Sequence, residues 1–562
     1  MRPPAYDGWT RERLLEEVKK LKKRKKYGIV WEHKPEDVVE QCKRELPVLK
    51  EVKSREIITD PTAPVNLLIE GDNYHALSVL NYTHKGKVDV IYIDPPYNTG
   101  ASDWKYNNNY VDKDDSFKHS KWLSMMSSRL ALAKNLLKKN GILVCAIDDN
   151  EFGTLSLLVG EIFPNKIQNT VVIVTNPHGV ARSGFSRSHE YALFLLNPGQ
   201  TVNKKPAPED VRNINLRRSG NNSLRKDSPT MFYPIFVDKK TMRIVDVGEV
   251  PDVKFHPKKQ TTEKKDCYEV WPIDSKGVEK NWYYSRRRVE EKGQSELLCK
   301  LVNGEMRITF HHSNNSEQTY RSIWTDSLYD AGAYGATLVK NITGKNFPFP
   351  KSINTVYDCL KAVIKSKDAV VLDFFAGSGT TGHALMMLNK EDGGNRKFIL
   401  CTNNENRIAE EVTYPRIKKA IKGMKNLPDV TKFEANLRYF KTSFVGAEPT
   451  DANKEALTTQ ATEMLCVRES TFDQVKTTKA YQIFRNSTRH TGIVFDPLML
   501  AQFRKELDRI KGSWSVYVFS LGDDTFDEEF ADLGQRVKVS PVPEAILRIY
   551  RRIFSSDNNY GA

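Results

Sequence analysis

Three shortages narrow the field before any motif is read. The seven cysteines stand singly, with no paired spacing of the kind that ligates zinc or an iron–sulfur cluster. They read as reduced, buried thiols of a cytosolic protein rather than as a disulfide framework. No apolar run is long enough to cross a bilayer and no export leader is visible, so neither a membrane nor secretion is indicated and a cytoplasmic location is expected. The phosphate-binding pattern G-x-x-x-x-G-K-[ST] is also missing, because Gly377-Ser378-Gly379-Thr380-Thr381-Gly382 has no lysine after it. No helicase or nuclease machinery is therefore visible.

What the chain has is length and positive charge. Its 562 residues are nearly four average domains, enough for a large buried core. The net charge of +15 and pI near 9.2 favour polyanionic partners. Residues 201–300 hold 22 Lys and Arg against 15 Asp and Glu, close to half of the excess. A charge excess is most often a solvated face, but this one lies between the two motifs that carry chemistry.

The first motif is Asp94-Pro95-Pro96-Tyr97, at the end of the apolar run Val88-Asp89-Val90-Ile91-Tyr92-Ile93. Two prolines fix φ near −65° and remove two backbone donors, so the turn is stiff and its carbonyls stay free to accept. A carboxylate and an aromatic ring then project from a rigid frame at a strand's C-terminal edge, where open α/β sheets place ligands. The amino nitrogen of adenine is a poor nucleophile because its lone pair is delocalised into the ring. Asp94 and the Pro95 carbonyl can accept its two N–H hydrogens and favour a pyramidal nitrogen, while Tyr97 offers a stacking face for a base swung out of the duplex. The blander reading is a proline-stiffened turn with Tyr97 as packing.

The second motif is Asp373-Phe374-Phe375-Ala376-Gly377-Ser378-Gly379-Thr380, after the run Ala369-Val370-Val371-Leu372. Gly377 and Gly379 permit positive φ and close approach to a ligand. The helix expected from Thr380 to Asn389 presents its N-terminal amides to a carboxylate. Gly377, Gly379 and Gly382 also fit a dinucleotide fingerprint, which keeps a nicotinamide-dependent oxidoreductase in view. The first motif decides against it, since a dehydrogenase has no use for Asp-Pro-Pro-Tyr.

The chain resembles the amino-methylating DNA methyltransferases of the β class, in which the catalytic motif precedes the recognition region and the cofactor motif follows it. More narrowly, it resembles the modification (Mod) subunit of type III restriction–modification systems. The likeness rests on both loops and on Glu70-Gly71-Asp72-Asn73, Trp122-Leu123, Ile147-Asp148-Asp149-Asn150-Glu151, Ser188-His189-Glu190-Tyr191-Ala192-Leu193 and Phe349-Pro350-Lys351-Ser352. It implies S-adenosylmethionine as cofactor and double-stranded DNA as substrate. It also implies a Mod homodimer, a separate motor–nuclease partner for cleavage, and methylation of N6 of a flipped adenine. Aspartate at position 94, where cytosine-N4 enzymes often carry serine, favours adenine. A cytosine-N4 enzyme and a catalytically silent DNA-recognition module remain the alternatives. The resemblance assigns catalysis to Asp94, Pro95, Pro96 and Tyr97. It assigns cofactor binding to Asp373, Phe375, Gly377, Gly379 and Thr380, with Asp72 near the adenosine and Lys351 and Ser352 closing over the methionine end. Asp72 reads equally well as the cap of a helix starting near Asn73. One departure stands out. Such folds usually place an acid at the tip of the next strand for the ribose hydroxyls, but here Lys397–Cys401 runs into Thr402-Asn403-Asn404-Glu405. Any of Asn403, Asn404 and Glu405 fits, with Glu405 preferred.

The expected architecture is α/β: a Rossmann-like S-adenosylmethionine-dependent methyltransferase sheet, permuted, with an inserted target-recognition domain and a small C-terminal α/β domain. Residues 1–60 read as basic and helical, with the run Lys19-Lys20-Leu21-Lys22-Lys23-Arg24-Lys25-Lys26. Residues 61–200 read as the catalytic half of the sheet, 201–345 as the target-recognition region and 346–445 as the cofactor half. Residues 446–462 read as a linker and 463–562 as the C-terminal domain. In the recognition region Arg286, Arg287 and Arg288 follow Trp282-Tyr283-Tyr284-Ser285 and are candidates to read guanine edges or grip phosphates.

Overall fold

The apolar runs read as strands become the centre of one large sheet. A computed structural model describes residues 9–22, 29–60, 63–107, 109–179, 184–206, 212–312, 317–424, 432–522 and 524–556. Two compact units result: Met1–Asn203 with Tyr320–Ala562, and Lys204–Thr319.

The sheet of the first unit contains β1 (Glu45–Glu51), β2 (Val65–Glu70), β3 (Val88–Ile93), β4 (Leu137–Ile147), β5 (Ile167–Val174), β6 (His189–Leu196), β7 (Ile323–Trp324), β8 (Val370–Asp373), β9 (Lys397–Thr402) and β10 (Asn436–Gly446). Their spatial order is β1-β10-β2-β9-β8-β3-β4-β6-β5-β7. From β10 through β4 every neighbouring pair is parallel. β6 runs antiparallel to both β4 and β5, and β1 is antiparallel to β10.

Among the helices covering this sheet are α1 (Asn73–Thr83), α2 (Lys118–Leu136), α3 (Phe152–Ile162), α4 (Ile353–Val363), α5 (Thr380–Asp392) and α6 (Tyr414–Lys422). The apolar continuity of β3 follows from burial on both faces, as parallel sheets require. Ile91 and Ile93 pack in one cluster with Leu77, Leu80, Trp122, Met126 and Leu130 of α1 and α2. Val90 and Tyr92 pack in the other, with Val356 and Leu360 of α4 and Leu385 of α5. This is the permuted sheet that the motif order implies.

Two stretches differ from expectation. Within the basic N-terminal region Arg11–Lys22 is helical, but Glu45–Glu51 is a strand, because Leu46, Val48 and Leu49 are buried at the edge of the sheet. Of the run Lys19–Lys26, residues 23–26 lie outside the described residues. In 446–462, read as a linker from its polar composition, Asp451–Gln460 forms a helix. Thr450 caps it by accepting from the Asn453 amide, and Leu457 anchors it in the core.

At the C-terminal end, the order Asp473–Thr477, Tyr481–Arg485, Arg489–Val494, Ser513–Phe519, Val537–Val542 makes a five-stranded sheet, antiparallel on one side and parallel on the other. The helix Glu544–Ser556 sends Ile546, Tyr550 and Ile553 into the apolar cluster shared with α1 and α2, and the Tyr550 hydroxyl donates to the Pro47 carbonyl in β1.

The inserted unit is built from small antiparallel sheets. One has Arg212–Asn215, Leu297–Val302 and Glu305–His312; a four-stranded one has Ile235–Asp238, Ile244–Val247, Thr261–Glu263 and Cys267–Val270. Leu216, Tyr233, Trp282, Val289 and Ile308 form its core. No helix among the described residues is long and apolar enough to cross a membrane.

Because Tyr550 ties the last helix to the central sheet, Tyr550→Ala is expected to cost about 3 kcal/mol. Denaturant unfolding followed by tryptophan fluorescence checks it; a loss below about 0.5 kcal/mol would show that the helix adds nothing to the common core.

Candidate active site

The two motifs, distant in sequence, leave adjacent strands at the same edge. β3 and β8 pair in parallel with Val371 opposite Val90 and Leu372 opposite Ile91. Asp94 and Asp373 therefore emerge side by side at the carboxyl ends of the sheet, at the point where the winding reverses.

The first turn is held from behind. Trp122 of α2 is fully buried and its indole Nε1 donates to the Pro96 carbonyl at 2.7 Å. Asn98 adopts a left-handed conformation (φ 57°), which asparagine tolerates. Its amide donates to Glu151 Oε1 at 2.6 Å and its oxygen accepts from Trp104 Nε1 at 3.1 Å. Glu151, fully buried, also lies 2.6 Å from His119 Nδ1. Glu151 thus pins the turn from the start of α3. Sequence reading placed it in a matching block without giving it a task; a glutamate at an apolar helix start was the available clue.

In front of the turn sits a charged cluster. Lys351, 8% exposed, has its ammonium 2.8 Å from Asp94 Oδ1 and 3.3 Å from Glu190 Oε2. The same ammonium is 4.6 Å from the centre of the Tyr97 ring, and the Tyr97 hydroxyl donates to Glu190 Oε2 at 3.1 Å. Burial pushes the Asp94 carboxyl above its ordinary range; Lys351 opposes that shift and Glu190 adds to it. Lys351, expected to close over the cofactor's methionine end, is paired with the carboxylate of the Asp-Pro-Pro-Tyr turn. Glu190, at the start of β6 in the His189-Glu190 block, completes the cluster and was absent from the expected site residues.

The glycine loop adopts the conformation its glycines permit. Gly377 has φ 46° and Gly379 φ 80°, values that cost a side-chain-bearing residue about 1 kcal/mol. A Cβ on Gly377 would meet the Phe347 ring at 3.4 Å, so Phe347 lies against the loop. Buried Asp373 organises it, accepting from the Phe375 amide (2.9 Å) and the Thr381 hydroxyl (2.5 Å). Burial pushes its carboxyl up to about 7. Arg416 of α6, fully buried, donates to Ser378 Oγ (2.9 Å) and Thr380 Oγ1 (2.7 Å), fixing the start of α5. Phe375 is half-buried at the mouth of this loop.

The remaining expected residues are placed as follows. Asp72 caps α1, accepting from the Tyr74 amide at 2.7 Å, and meets Arg129 Nη2 at 3.3 Å. Ser352 caps α4 and donates to the Leu328 carbonyl at 2.8 Å. Glu405 pairs with Lys105 at 2.7 Å and accepts from the Tyr110 hydroxyl at 3.3 Å. In the inserted unit, Arg286, Arg287 and Arg288 start a helix capped by Ser285 and are engaged with glutamates. Arg286 pairs with Glu249 and Glu290, Arg287 with Glu291 and Arg288 with Glu296.

The sequence profile described as DNA methylase matches residues 88–413, which run from β3 through both motifs. The chain belongs to this DNA methylase family. It is 31% identical over 390 residues to the type II methyltransferase M.KpnI of Klebsiella pneumoniae, covering 66% of this chain and 87% of that protein. It is 29% identical to the EcoPI Mod subunit of Escherichia phage P1 (60% of this chain, 58% of that protein). It is also 29% identical to the StyLTI Mod subunit of Salmonella typhimurium (63% and 55%). It thus spans little more than half the length of these Mod subunits. Among solved structures, the M1.HpyAVI–S-adenosylmethionine complex shares 13% identity over 63% of this chain and 98% of its own, with a TM-score of 0.29.

The cofactor of this family of DNA methyltransferases is S-adenosylmethionine, and the loop fits it. A half-buried aromatic, two positive-φ glycines and a helix start lie at one sheet edge, next to the turn holding Asp94. Bound there, the group supplies an electrophilic methyl.

Asp373 gives the site a pH signature. Its folded pKa is raised from 3.8 to about 7, so the stability it contributes is fully present below the lower value and lost as pH rises through the upper one. Against Asp373→Asn, the wild-type melting temperature is expected to decline between pH 4.5 and 7.5. Parallel curves for the two proteins would remove Asp373 as the titrating group.

Proposed function

We propose that this DNA methyltransferase modifies N6 of an adenine flipped out of duplex DNA, at a specific sequence. The observation that carries the reading is Asp94 at the carboxyl edge beside the glycine loop, followed by a turn whose Pro96 carbonyl is occupied by Trp122. Asp94 and the Pro95 carbonyl accept the two amino hydrogens. Pro96 and Trp122 keep the turn rigid, and Tyr97 stacks on the base. Gly377, Gly379, Thr380, Asp373 and Phe375 form the cofactor cradle, with Asp72 and Glu405 at its adenosine side.

The likeness to Mod subunits supports a type III modification subunit. In this reading it works in the cytoplasm as a homodimer and leaves cleavage to a separate motor–nuclease. The 87% coverage of M.KpnI supports a second reading, a stand-alone type II enzyme. Light scattering of the purified protein separates dimer from monomer, and co-expression with a candidate nuclease gene separates the two systems.

The DNA grip is assigned to the inserted unit. With Arg286, Arg287 and Arg288 committed to glutamates, Lys254, Lys258 and Lys259 are the better candidates. They are exposed on a loop that Arg225 fixes by donating to the carbonyls of Phe255 (2.7 Å) and Asp252 (3.0 Å). Replacing all three lysines by alanine is expected to weaken binding and lower the salt slope of log K by up to about 3. The same change at the three arginines should act less. An unchanged slope in the lysine variant would place the phosphate contacts elsewhere.

The deciding experiment is methylation of mixed-sequence DNA with labelled S-adenosylmethionine and base-resolved mapping. N6-methyladenine at one recurring sequence is the expected product; N4-methylcytosine would keep the mechanism and correct the base. Asp94→Ala is expected to lower turnover about a hundred-fold or more with DNA binding retained, and unchanged turnover would remove Asp94 from the mechanism.

A further inference from the structure

The cluster of Lys351, Asp94, Glu190 and Tyr97 contains more than the reading above uses. A lysine ammonium carries three donors and no acceptor. Here it touches two carboxylates at once, 2.8 Å from Asp94 and 3.3 Å from Glu190, over the face of Tyr97. It therefore stands on the acceptor that a target amino group needs and above the ring on which the base would stack.

We propose that Lys351 is a positioning residue, a place-holder for the substrate amino group on Asp94, and that Glu190 is the station to which its ammonium withdraws when the base arrives. The inference rests on the reading of Asp94 as the amino-group acceptor. A half-buried carboxylate left unpaired shifts toward its protonated form, and protonated Asp94 loses the acceptor it must offer. Lys351 keeps it ionised before the base enters. Glu190 makes the exchange cheap, because the buried ammonium gives up one carboxylate without being left unpaired. Glu190 is itself fixed by the Tyr97 hydroxyl, so the aromatic face and the withdrawal station are held together.

The groups facing this cluster are few. Glu190 approaches from β6 and the Tyr97 phenol from the same turn. Asp373 comes from the end of β8 and the Tyr92 phenol from β3. Asp148, after β4, is paired with Arg187 at 2.6 Å and interacts with Glu190. Lys351 is the cation in contact with Asp94, and Glu190 is the like charge that opposes it. Removing one or the other therefore moves the ionisation of Asp94 in opposite directions, a pattern that loss of packing alone does not produce.

The test is the pH dependence of kcat/KM for methylation of a duplex carrying the mapped site, using full-length wild type, Lys351→Met, Lys351→Arg, Glu190→Gln and Asp94→Ala. In Lys351→Met the acid limb is expected to move up by about one pH unit or more, with a roughly ten-fold loss at pH values on the acid side of the limb. Lys351→Arg should restore the limb. In Glu190→Gln the limb should move down and the KM for DNA rise more than kcat falls, because the ammonium has no second carboxylate to hold. Unmoved limbs, or shifts in the same direction, overturn the proposal. Calorimetric binding of S-adenosylmethionine provides the second readout: affinity retained in Lys351→Met is expected. Affinity lost with an unmoved limb assigns the lysine to the cofactor instead. If Lys351→Met does not fold, the Glu190→Gln and Lys351→Arg profiles decide. An active Asp94→Ala would sink the reading of Asp94 itself. An inactive Asp94→Ala with unmoved limbs in the other variants would sink only the role of Lys351 and Glu190.

Discussion

The chemistry of this chain hangs on one pairing, that of β3 with β8. Their parallel register sets Val371 beside Val90 in one apolar cluster and Leu372 beside Ile91 in the other. A slip of one residue would exchange those faces and set apolar side chains against the wrong helices. Burial on both sides therefore fixes the register, and the register fixes where Asp94 and Asp373 emerge. The order of the motifs in the chain becomes immaterial once the strands are side by side. That is how a permuted sequence builds a single site.

Much of this was legible because the decisive elements are extreme. Val88–Ile93 and Ala369–Leu372 are nearly uninterrupted apolar runs, and each ends in an acid followed by residues with strong backbone preferences. Proline pairs and glycine pairs act through φ, which sequence reports directly. Helix α2 was visible from Trp122, Met126, Leu130, Ala133 and Leu137 at helical spacing; the first four are buried in it, whereas Leu137 is half-buried and begins β4.

Other elements depend on contacts that sequence does not encode locally. Glu45–Glu51 lies in a charged region, and only antiparallel pairing with β10 makes it a strand. The helix Asp451–Gln460 looks like a linker because a single leucine, Leu457, buries it. Arg286, Arg287 and Arg288 look like free cations until a helix brings glutamates four and more residues on within reach. Lys351 is the sharpest case. The resemblance implied a cofactor contact for it, and its partners, Asp94 and Glu190, come from two strands far away in the chain. Long-range charge pairing is invisible to any window along the sequence.

The two aspartates at this edge show how one scaffold gives similar groups different states. Asp373 is enclosed, meets no cation among the described residues, and is satisfied by an amide and a hydroxyl; burial dominates and the carboxyl favours its proton up to about neutrality. Asp94 is only half-buried, and it faces an ammonium at 2.8 Å, which opposes the effect of burial. Two ionised carboxylates on neighbouring strand ends repel, and the Asp94 charge adds to the upward shift of Asp373. Holding one proton on Asp373 and one cation on Asp94 relieves that repulsion without separating the loops. Asp373 then shapes the glycine loop, while Asp94 stands beside it with an ammonium as its partner.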